Sequence, residues 1–314
     1  MRARVRWIVV LGALGAFGGG LLRAQEELEL DLFRPRVDVA FDRTASRPFE
    51  DVSGDYGTHS ESLSALVPLG GTHLRPGRDL LGYQLFAQAE LATASPGISF
   101  LARQRRLETG ALRFSGLFLG RSKNLYWGSI GASVAEDEET IHDAKARFSA
   151  IGLGTHRLSG RVLLLYGGAF THQFGRGLAL PLFGAIWTLD PKWTLTGALP
   201  FSVVARYRWR RDLDLRLRLT VAGNRYRVSN QGDFPGEPQT VFLRLVQTQM
   251  LGEVDWRAGR NVALLAQAGV VRTRKLAFAN GNDDFIETGV RPAGYLKLAA
   301  RFSFGRTLLD QWRP

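Results

Sequence analysis

The sequence predicts an all-β protein: a single closed antiparallel transmembrane β-barrel of about 12 strands (range about 10–14), preceded by a signal peptide. Three observations lead to this fold class. Polar and apolar residues alternate with a period of two in segment after segment, and these segments are long enough to cross a bilayer. Short turns also alternate, with exceptions, with long polar loops, as in bacterial outer-membrane barrels.

The N-terminus has the three parts of a secretory signal peptide. Arg2, Arg4 and Arg6 precede an apolar stretch from 7 to 22, and a small-residue cleavage site ends at Ala24. We therefore expect residues 1–24 to be a signal peptide and residues 25–314 to form one barrel domain in the bacterial outer membrane. The chain has no cysteine, which excludes disulfide scaffolds, thiolate zinc sites and cysteine nucleophiles.

The alternation is clearest between 213 and 221, where every odd position is apolar and every even position is polar. On a strand, Leu217 points to one face and Arg216 and Arg218 point to the other, whereas on a helix the leucines would scatter around the axis. We expect the apolar face to meet lipid. In that register, Leu217→Arg should cost ~2–4 kcal/mol of folding free energy and Arg216→Gln much less.

Applied along the chain, the same alternation assigns residues to the two faces of the wall. The predicted lipid-facing or interfacial residues are Trp193, Tyr207, Trp209, Leu215, Leu217, Trp256, Phe302 and Phe304. The predicted lumen-facing residues are Arg206, Arg208, Arg216, Arg218, Glu253, Asp255 and Arg301.

Thirteen segments are candidate strands: 36–43, 58–68, 80–92, 107–120, 125–135, 145–157, 161–172, 178–189, 193–210, 213–228, 240–257, 261–276 and 291–304. Because bacterial barrels have even strand numbers, one assignment must be wrong, and we expect the first segment to lie outside the wall. Short links fall at 158–160, 190–192 and 257–260. The long stretches after Asn230 and around Asp283 are expected to be mobile extracellular loops.

A soluble secreted β-sandwich is the alternative fold, since a period of two does not distinguish a core-facing stripe from a lipid-facing one. Three features favour the barrel. Aromatic residues cluster toward strand ends as interfacial girdles do, and arginines on the polar face suit a wet lumen. The last periodic strand also ends in aromatic residues, Phe302 and Phe304.

The sequence contains no legible catalytic or metal-binding motif, so no catalytic residue, cofactor or metal is expected. The five histidines form no i,i+4 pair, and no phosphate-binding loop is present. Three weaker candidates have simpler interpretations. His156 with Ser159 resembles a lipid-hydrolase pair, but the sequence around Ser159 is typical of a turn. Asp283-Asp284 is typical of a polar loop tip. The acidic run 136–139 is typical of a solvated segment, which could hold Ca²⁺.

Charge and composition limit the classes of function that this chain can have. The formal net charge is +12, but the arginines are spread over alternating strands rather than clustered with stacking aromatics, which argues against nucleic acid. We expect a non-enzymatic narrow pore, hydrophobe or small-solute conduit, or structural barrel, with a solvated Arg-lined lumen and weak anion preference. A barrel hydrolase acting on lipid or peptide is the alternative. The expected partners are outer-membrane lipid, lipopolysaccharide and the outer-membrane insertion machinery.

The segment from Phe170 to Tyr226 resembles a known bacterial family. The motif begins with the run 180–184 and Trp187, continues through Asp190-Pro191-Lys192-Trp193 and Leu199-Pro200, and ends with the runs 205–208 and 223–226. In these features the segment is similar to an uncharacterised family of outer-membrane β-barrel proteins, defined only as a domain of unknown function. The resemblance implies an outer-membrane barrel and brings no catalytic or ligand residues with it.

Overall fold

The computed structural model describes residues 35–73, 80–101, 103–120, 124–172, 177–281 and 283–304; the expected signal peptide lies outside these ranges. The strands are β1 (Arg36–Pro48), β2 (Asp55–His73), β3 (Leu80–Ile98), β4 (Leu107–Gly120), β5 (Leu125–Asp137), β6 (Arg147–Arg157), β7 (Val162–Thr171), β8 (Leu178–Thr188), β9 (Trp193–Leu199), β10 (Ser202–Arg210), β11 (Leu213–Ser229), β12 (Thr240–Arg257), β13 (Val262–Asn280), β14 (Asp283–Thr288) and β15 (Ala293–Ser303). A 3₁₀ turn, Ile141–Asp143, lies between β5 and β6. No helix within these ranges is long and apolar enough to span a membrane.

Fourteen of these strands form one closed antiparallel wall. From β1 to β13, each strand pairs with the next one along the chain. β15 pairs with both β13 and β1, which closes the ring. β14 is a short extra strand that pairs with the end of β13 at Leu276–Asn280. Closure removes the two free edges that an open sheet would expose.

The expected number of twelve strands is wrong, and two segments explain the difference. The first segment belongs to the wall as β1, because it pairs with β2 on one side and β15 on the other. Segment 193–210 is two strands, β9 and β10, joined by a tight turn in which the Phe201 N–H donates to the Ala198 carbonyl at 2.9 Å. The sequence hid this turn because Leu199, Pro200 and Phe201 continue the apolar character of both strands.

Side chains alternate between an apolar outside and an inside that is polar over part of the wall. On β11, Leu217 is 51% exposed, whereas Arg216 and Arg218 are 7% and 6% exposed. Exposed large apolar side chains recur around the ring, from Phe41 on β1 to Leu298 on β15. Only a closed barrel can satisfy every backbone group of a sheet within lipid, so an apolar belt around a closed ring indicates membrane insertion. The protein is an outer-membrane β-barrel and not a soluble sandwich.

Strands β6–β10 are shorter than most of the wall. They have 7–11 residues, close to the ~9–11 that a tilted strand needs to cross a bilayer. By contrast, β11, β12 and β13 have 17, 18 and 19 residues. Four short turns, at 158–161, 189–192, 211–212 and 258–261, lie at one end of the barrel, which in such proteins faces the periplasm, whereas the tight β9–β10 turn lies at the other end. The tips of β6–β10 therefore mark the outer headgroup level, and the longer strands project beyond it.

Above these short strands, β11 turns across the barrel and meets β5 directly. Arg227 is the parallel bridge partner of Glu136, and this contact excludes β6–β10 from the upper part of the ring. Arg227 Nε donates to Glu136 Oε2 at 2.6 Å, and the Ser229 N–H donates to Asp137 Oδ2 at 2.7 Å. Arg105, from the loop after β3, also pairs with Asp137, at 3.0 Å. We call this contact the β5–β11 junction.

The extracellular end of the barrel is filled by an apolar cluster, which we call the plug. Four loops and the projecting strand ends contribute to it, and Phe278 at its centre is fully buried. Its aromatic rings are in mutual contact, with centroids 5.3 Å apart for Phe49 and Phe100 and 4.6 Å apart for Phe234 and Phe278. The loop after β11 is packed into the barrel end through Phe234, which differs from the mobile loop expected from the sequence.

A disulfide can test the pairing of the first and last strands. Val39 and Ala300 are Cα partners, so the double variant V39C/A300C should cross-link on oxidation in a chain that has no native cysteine. The measurement is the mobility of the unreduced protein on a denaturing gel. V39C/L298C is the matched control, because a diagonal separation of ~7–8 Å is too long for a disulfide. Cross-linking of neither pair would mean that β1 lies outside the wall.

Thiol labelling of whole cells can test the orientation. A membrane-impermeant maleimide should label Gln239→Cys, in the exposed loop after β11, on intact cells. Gly259→Cys, in the exposed short turn between β12 and β13, should be labelled only after the outer membrane is permeabilised. The opposite pattern would invert the barrel.

Candidate functional site

The periplasmic half of the lumen contains buried ionic side chains on β10, β11 and β12. We call them the lumen network, and they are Arg206, Asp214, Arg216, Arg218, Glu253 and Asp255. Arg216 lies at the centre: its Nη1 donates to Glu253, and its Nη2 lies 3.0 Å from Asp255 Oδ2. Arg218 Nη2 lies 3.2 Å from Glu253 Oε2, which also accepts from Gln267 Nε2 at 2.6 Å. These contacts brace three neighbouring strands from the inside.

The strand register explains which pairs of the network are direct and which are diagonal. Arg216 lies directly opposite Glu253, its partner on β12. Arg206 lies directly opposite Arg216, and Asp214 lies directly opposite Asp255, so the remaining ion pairs form diagonally between these like charges. Three guanidinium groups and three carboxylates are buried together, which makes the network formally neutral. Arg208 also points inward, with its Nε 3.7 Å from Asp214 Oδ1, and adds a fourth, partly exposed guanidinium group on these strands. The expected arginine-lined lumen stays a prediction.

The other residues that the sequence assigned to the two faces of the wall lie outside the lumen network. Arg208 and Arg301 also point inward but are each 18% exposed, and Arg301 Nε lies 2.6 Å from Asp38 Oδ1, apart from the network. Trp209 and Phe304, at 56% and 53%, are the most exposed of the outward set. Trp193, Leu217, Trp256 and Phe302 are also exposed on the outside, whereas Tyr207 and Leu215 are half-buried there. The Trp193 and Tyr207 rings are 4.8 Å apart near the periplasmic end, where an interfacial girdle is expected.

Facing the lumen network is an inner surface that sequence reasoning missed. Aliphatic and aromatic side chains on the inside of β6–β9 and of the following turn form two buried clusters, interspersed with the buried threonines Thr155, Thr194 and Thr196. We call the clusters the inner apolar wall, and they are Leu153, Leu163, Leu165, Ala169, Leu182, Ile186, Ala198 and Phe201. Both faces of these strands are apolar, as the run 162–166 shows, so alternation could not reveal the inward face. The lumen is thus amphipathic, with charges on one side and hydrocarbon on the other.

In the part of the chain that the structure describes, β11 has no ladder partner on its β10 side between Thr220 and Arg227, and we call this stretch the lateral window. The last ladder partners are Ser202 and Thr220, and the Val221 N–H still donates to the Phe201 carbonyl at 2.8 Å. The next lateral pairing of β11 is at the β5–β11 junction. Residues 222–226 of β11 border this window above the ends of β6–β9, and the Arg147 guanidinium on β6 crosses it by donating to the Arg225 carbonyl.

Behind the window is a cavity of about 230 Å³. Phe148, 67% exposed on the outer wall, lines it from β6 and Asn224 lines it from β11, whereas Glu90 and Arg113 line it from the inner face of β3 and β4. The other polar residues that line it are Thr109, Ser133, Arg147, Ser149, Thr171 and His172. The cavity therefore connects the outer surface of the short strands with the lumen.

The cavity is electropositive. Arg113 Nη1 lies 3.4 Å from Glu90 Oε2, but Arg147 donates mainly to neutral groups, the carbonyls of Arg225 and, at 3.1 Å, Ala135. Glu136 is 4.0 Å from Arg147 and is already paired with Arg227. Burial and the charges of Arg147 and Arg225 lower the pKa of His172 below its usual value. The lowered pKa favours the neutral imidazole, which can accept a hydrogen bond.

The weaker candidates from the sequence have structural roles. Ser159 Oγ accepts the backbone N–H groups of Arg161 and Val162 at 3.2 and 3.1 Å in the turn after β6, while His156 is exposed on the outer face. Glu136 and Asp137 of the acidic run are buried in the β5–β11 junction rather than solvated. Asp284 pairs with Arg244 at 2.7 Å. Among the described residues, no group of three or more potential ligands could hold a metal ion.

The lumen network reverses the expectation that Arg216→Gln is mild. Because Arg216 lies between Glu253 and Asp255, its loss leaves two buried carboxylates poorly compensated, and we expect a cost of about 3–5 kcal/mol of folding free energy. Leu217→Arg should still cost ~2–4 kcal/mol. A urea folding titration into lipid vesicles measures both values.

Arg208→Gln is the matched control for this comparison. Arg208 is partly exposed and its Nε lies 3.7 Å from Asp214, so its loss should cost no more than ~1 kcal/mol. Equal destabilisation by the two arginine variants would show that the network is hydrated and screened rather than buried.

Comparison with known proteins gives only distant structural similarity. The sequence matches no protein-family model and no curated protein. Among solved structures, LpxR from Salmonella typhimurium is 12% identical, with 86% of this chain and 100% of that chain covered and a TM-score of 0.37. Omp33 from Acinetobacter baumannii is 10% identical (87% and 99% covered, TM-score 0.36), and the toluene transporter TodX from Pseudomonas putida is 9% identical (86% and 89% covered, TM-score 0.37). TM-scores this low carry no conclusion about what this barrel binds or does.

Proposed function

We propose that this outer-membrane barrel is a non-enzymatic conduit for hydrophobic or amphipathic molecules, which pass through the lateral window rather than along an open axial pore. The observation that carries this proposal is the pairing of β11 with β5 above the short strands, because it leaves the window at the outer headgroup level. The extracellular opening is occupied by the plug, whose Phe278, Leu243 and Leu276 are fully buried. An axial aqueous path to the outside is therefore blocked.

The inner apolar wall gives such a molecule a surface to follow. From the cavity, Ala169 leads down β7 to Leu165 and Leu163 near the periplasmic end. An apolar chain on this side of the lumen would leave the lumen network undisturbed on the other. Transfer of hydrocarbon from water to such a surface is favourable by roughly 25 cal/mol per Å². A purely aqueous solute would gain nothing from this side of the barrel.

A lipid hydrolase is the second candidate, and one observation favours it. The cavity brings His172, with its lowered pKa, into the same space as Ser133 and Ser149. Within the described part of the chain, however, His172 makes no hydrogen bond to either serine, and a serine nucleophile needs a base within reach. Deacylation of a defined phospholipid by the wild type, abolished in Ser149→Ala or Ser133→Ala, would favour the enzyme over the conduit.

Membership of the uncharacterised outer-membrane family that residues 170–226 resemble is part of the same proposal. The runs that carry the resemblance contribute β8, β9, the Pro200 turn and the part of β11 at the window. If the family shares this function, its common residues encode the short-strand side of the barrel and the departure of β11 from β10.

Site-specific alkylation can test the conduit. Ala169→Cys places one thiol on the inner apolar wall, where an alkyl methanethiosulfonate should react and a charged, water-soluble one should not. Ser149→Trp, which fills part of the cavity, should slow the alkyl reaction about tenfold, or ~1.4 kcal/mol in barrier. The same protein in a planar bilayer should show little or no ion conductance.

Ala179→Cys on the outer face of β8 is the control, since its reaction with the alkyl reagent should not respond to Ser149→Trp. The conduit is excluded if the charged reagent reaches Ala169→Cys as fast as the alkyl reagent, or if Ser149→Trp has no effect on either. A large steady conductance would indicate an open pore instead.

A further inference from the structure

The outer wall of β4–β7 carries an apolar groove of about 610 Å³ next to the lateral window. Four glycines form its floor, because Gly116 pairs with Gly128, Gly128 with Gly152, and Gly152 with Gly168 on consecutive strands. Side chains on either side form its walls, and they are Leu85, Phe114, Phe118, Ile130 and Phe170. At Gly128, Gly152 and Gly168 the missing side chains lower the lipid-facing surface to the level of the backbone, whereas the Phe118 ring lies over Gly116.

The groove leads directly to the polar cavity. On β6, Ala150 lines the groove and Phe148, two residues further along the same face, lines the cavity. On β7, Phe170 lines the groove, and its ring contacts the His172 ring of the cavity edge-on with centroids 5.2 Å apart. One molecule can therefore occupy both spaces, with an apolar part in the groove and a polar part at the window.

The charges at the window favour an anionic polar part. Arg113 and Arg147 line the cavity together with one carboxylate, Glu90. Arg147 donates to two backbone carbonyls, and its nearest carboxylate, Glu136, is 4.0 Å away and paired with Arg227 at 2.6 Å. An arginine that backbone carbonyls hold in place suits a phosphate group, whose oxygens accept charge-assisted hydrogen bonds. The groove opens toward the bilayer, so its occupant comes from the bilayer and not from the aqueous phase.

We propose that the groove and the cavity together form a binding site for one phosphate-bearing bilayer lipid, with an acyl chain along the glycine floor and the headgroup phosphate at Arg147. This binding proposal rests on the proposed function, because it names the molecule that occupies the lateral window. Lipid binding and passage through the window are measured by separate experiments. Lipid retention therefore tests the binding site whatever the alkylation of Ala169→Cys shows.

Native mass spectrometry of the full-length barrel from mild detergent tests the site. Phosphatidylglycerol should be retained at one molecule per barrel and should outcompete diacylglycerol with the same acyl chains about tenfold. Gly152→Leu should reduce retention of phosphatidylglycerol by a similar factor, because a Cβ at Gly152 meets no atom within 4 Å and the larger side chain can fill the groove without disturbing the wall. Gly294→Leu is the matched control: its Cβ is equally unobstructed, and it lies on β15, away from the groove.

A second variant tests the headgroup end. Arg147→Gln should keep the acyl-chain contribution and lose the preference for phosphatidylglycerol over diacylglycerol, whereas Gly152→Leu should weaken both lipids equally. The proposal is overturned if diacylglycerol binds as well as phosphatidylglycerol to the wild type, if a free fatty acid displaces phosphatidylglycerol at equal concentration, or if Gly152→Leu and Gly294→Leu retain lipid alike. Retained lipid without window-dependent alkylation would overturn the conduit and leave the binding site.

Discussion

The β5–β11 junction is the constraint on which the rest of this barrel depends. A strand that has paired with β10 up to Thr220 crosses to β5 because Arg227 and Glu136 are both buried and joined at 2.6 Å. Removing one member of a buried ion pair costs far more than an exposed pair contributes, so the geometry is strongly held. From this one contact follow the narrowed upper ring, the packing of the plug within it, and the window beneath it.

The two sides of the lumen show how one wall serves two purposes. Charged side chains on β10–β12 are buried only because they are paired, and the neutral balance of the lumen network makes that burial tolerable. The aliphatic side chains on β6–β9 need no such compensation, which leaves this side free to meet an apolar molecule. A barrel lined only by charged or only by aliphatic side chains would not have one side that braces the strands and another side that can contact an apolar molecule.

The sequence was sufficient for the fold class but not for the site, and particular residues show why. Alternation is a property of a single strand, so it assigned Leu217 and Arg216 to opposite faces and identified most of the wall. It could not detect the turn at Pro200, where apolar character is continuous, nor the inner apolar wall, where both faces are apolar. Glu136 and Asp137 read as a solvated acidic run because their partners, Arg227 and Arg105, are distant in sequence. The window has no local signature at all, since it is defined by strands that fail to pair.

The plug has a consequence for how the barrel is assembled. Around Phe278 its aromatic rings include Phe49, Phe100 and Phe234 from three loops and Phe285 from β14, so they are spread over nearly the whole described chain. Contacts between such distant segments form late in folding, because the intervening chain must be ordered first. The growing barrel therefore stays open at its outer end while strands are added, and it seals only when the last hairpins are in place.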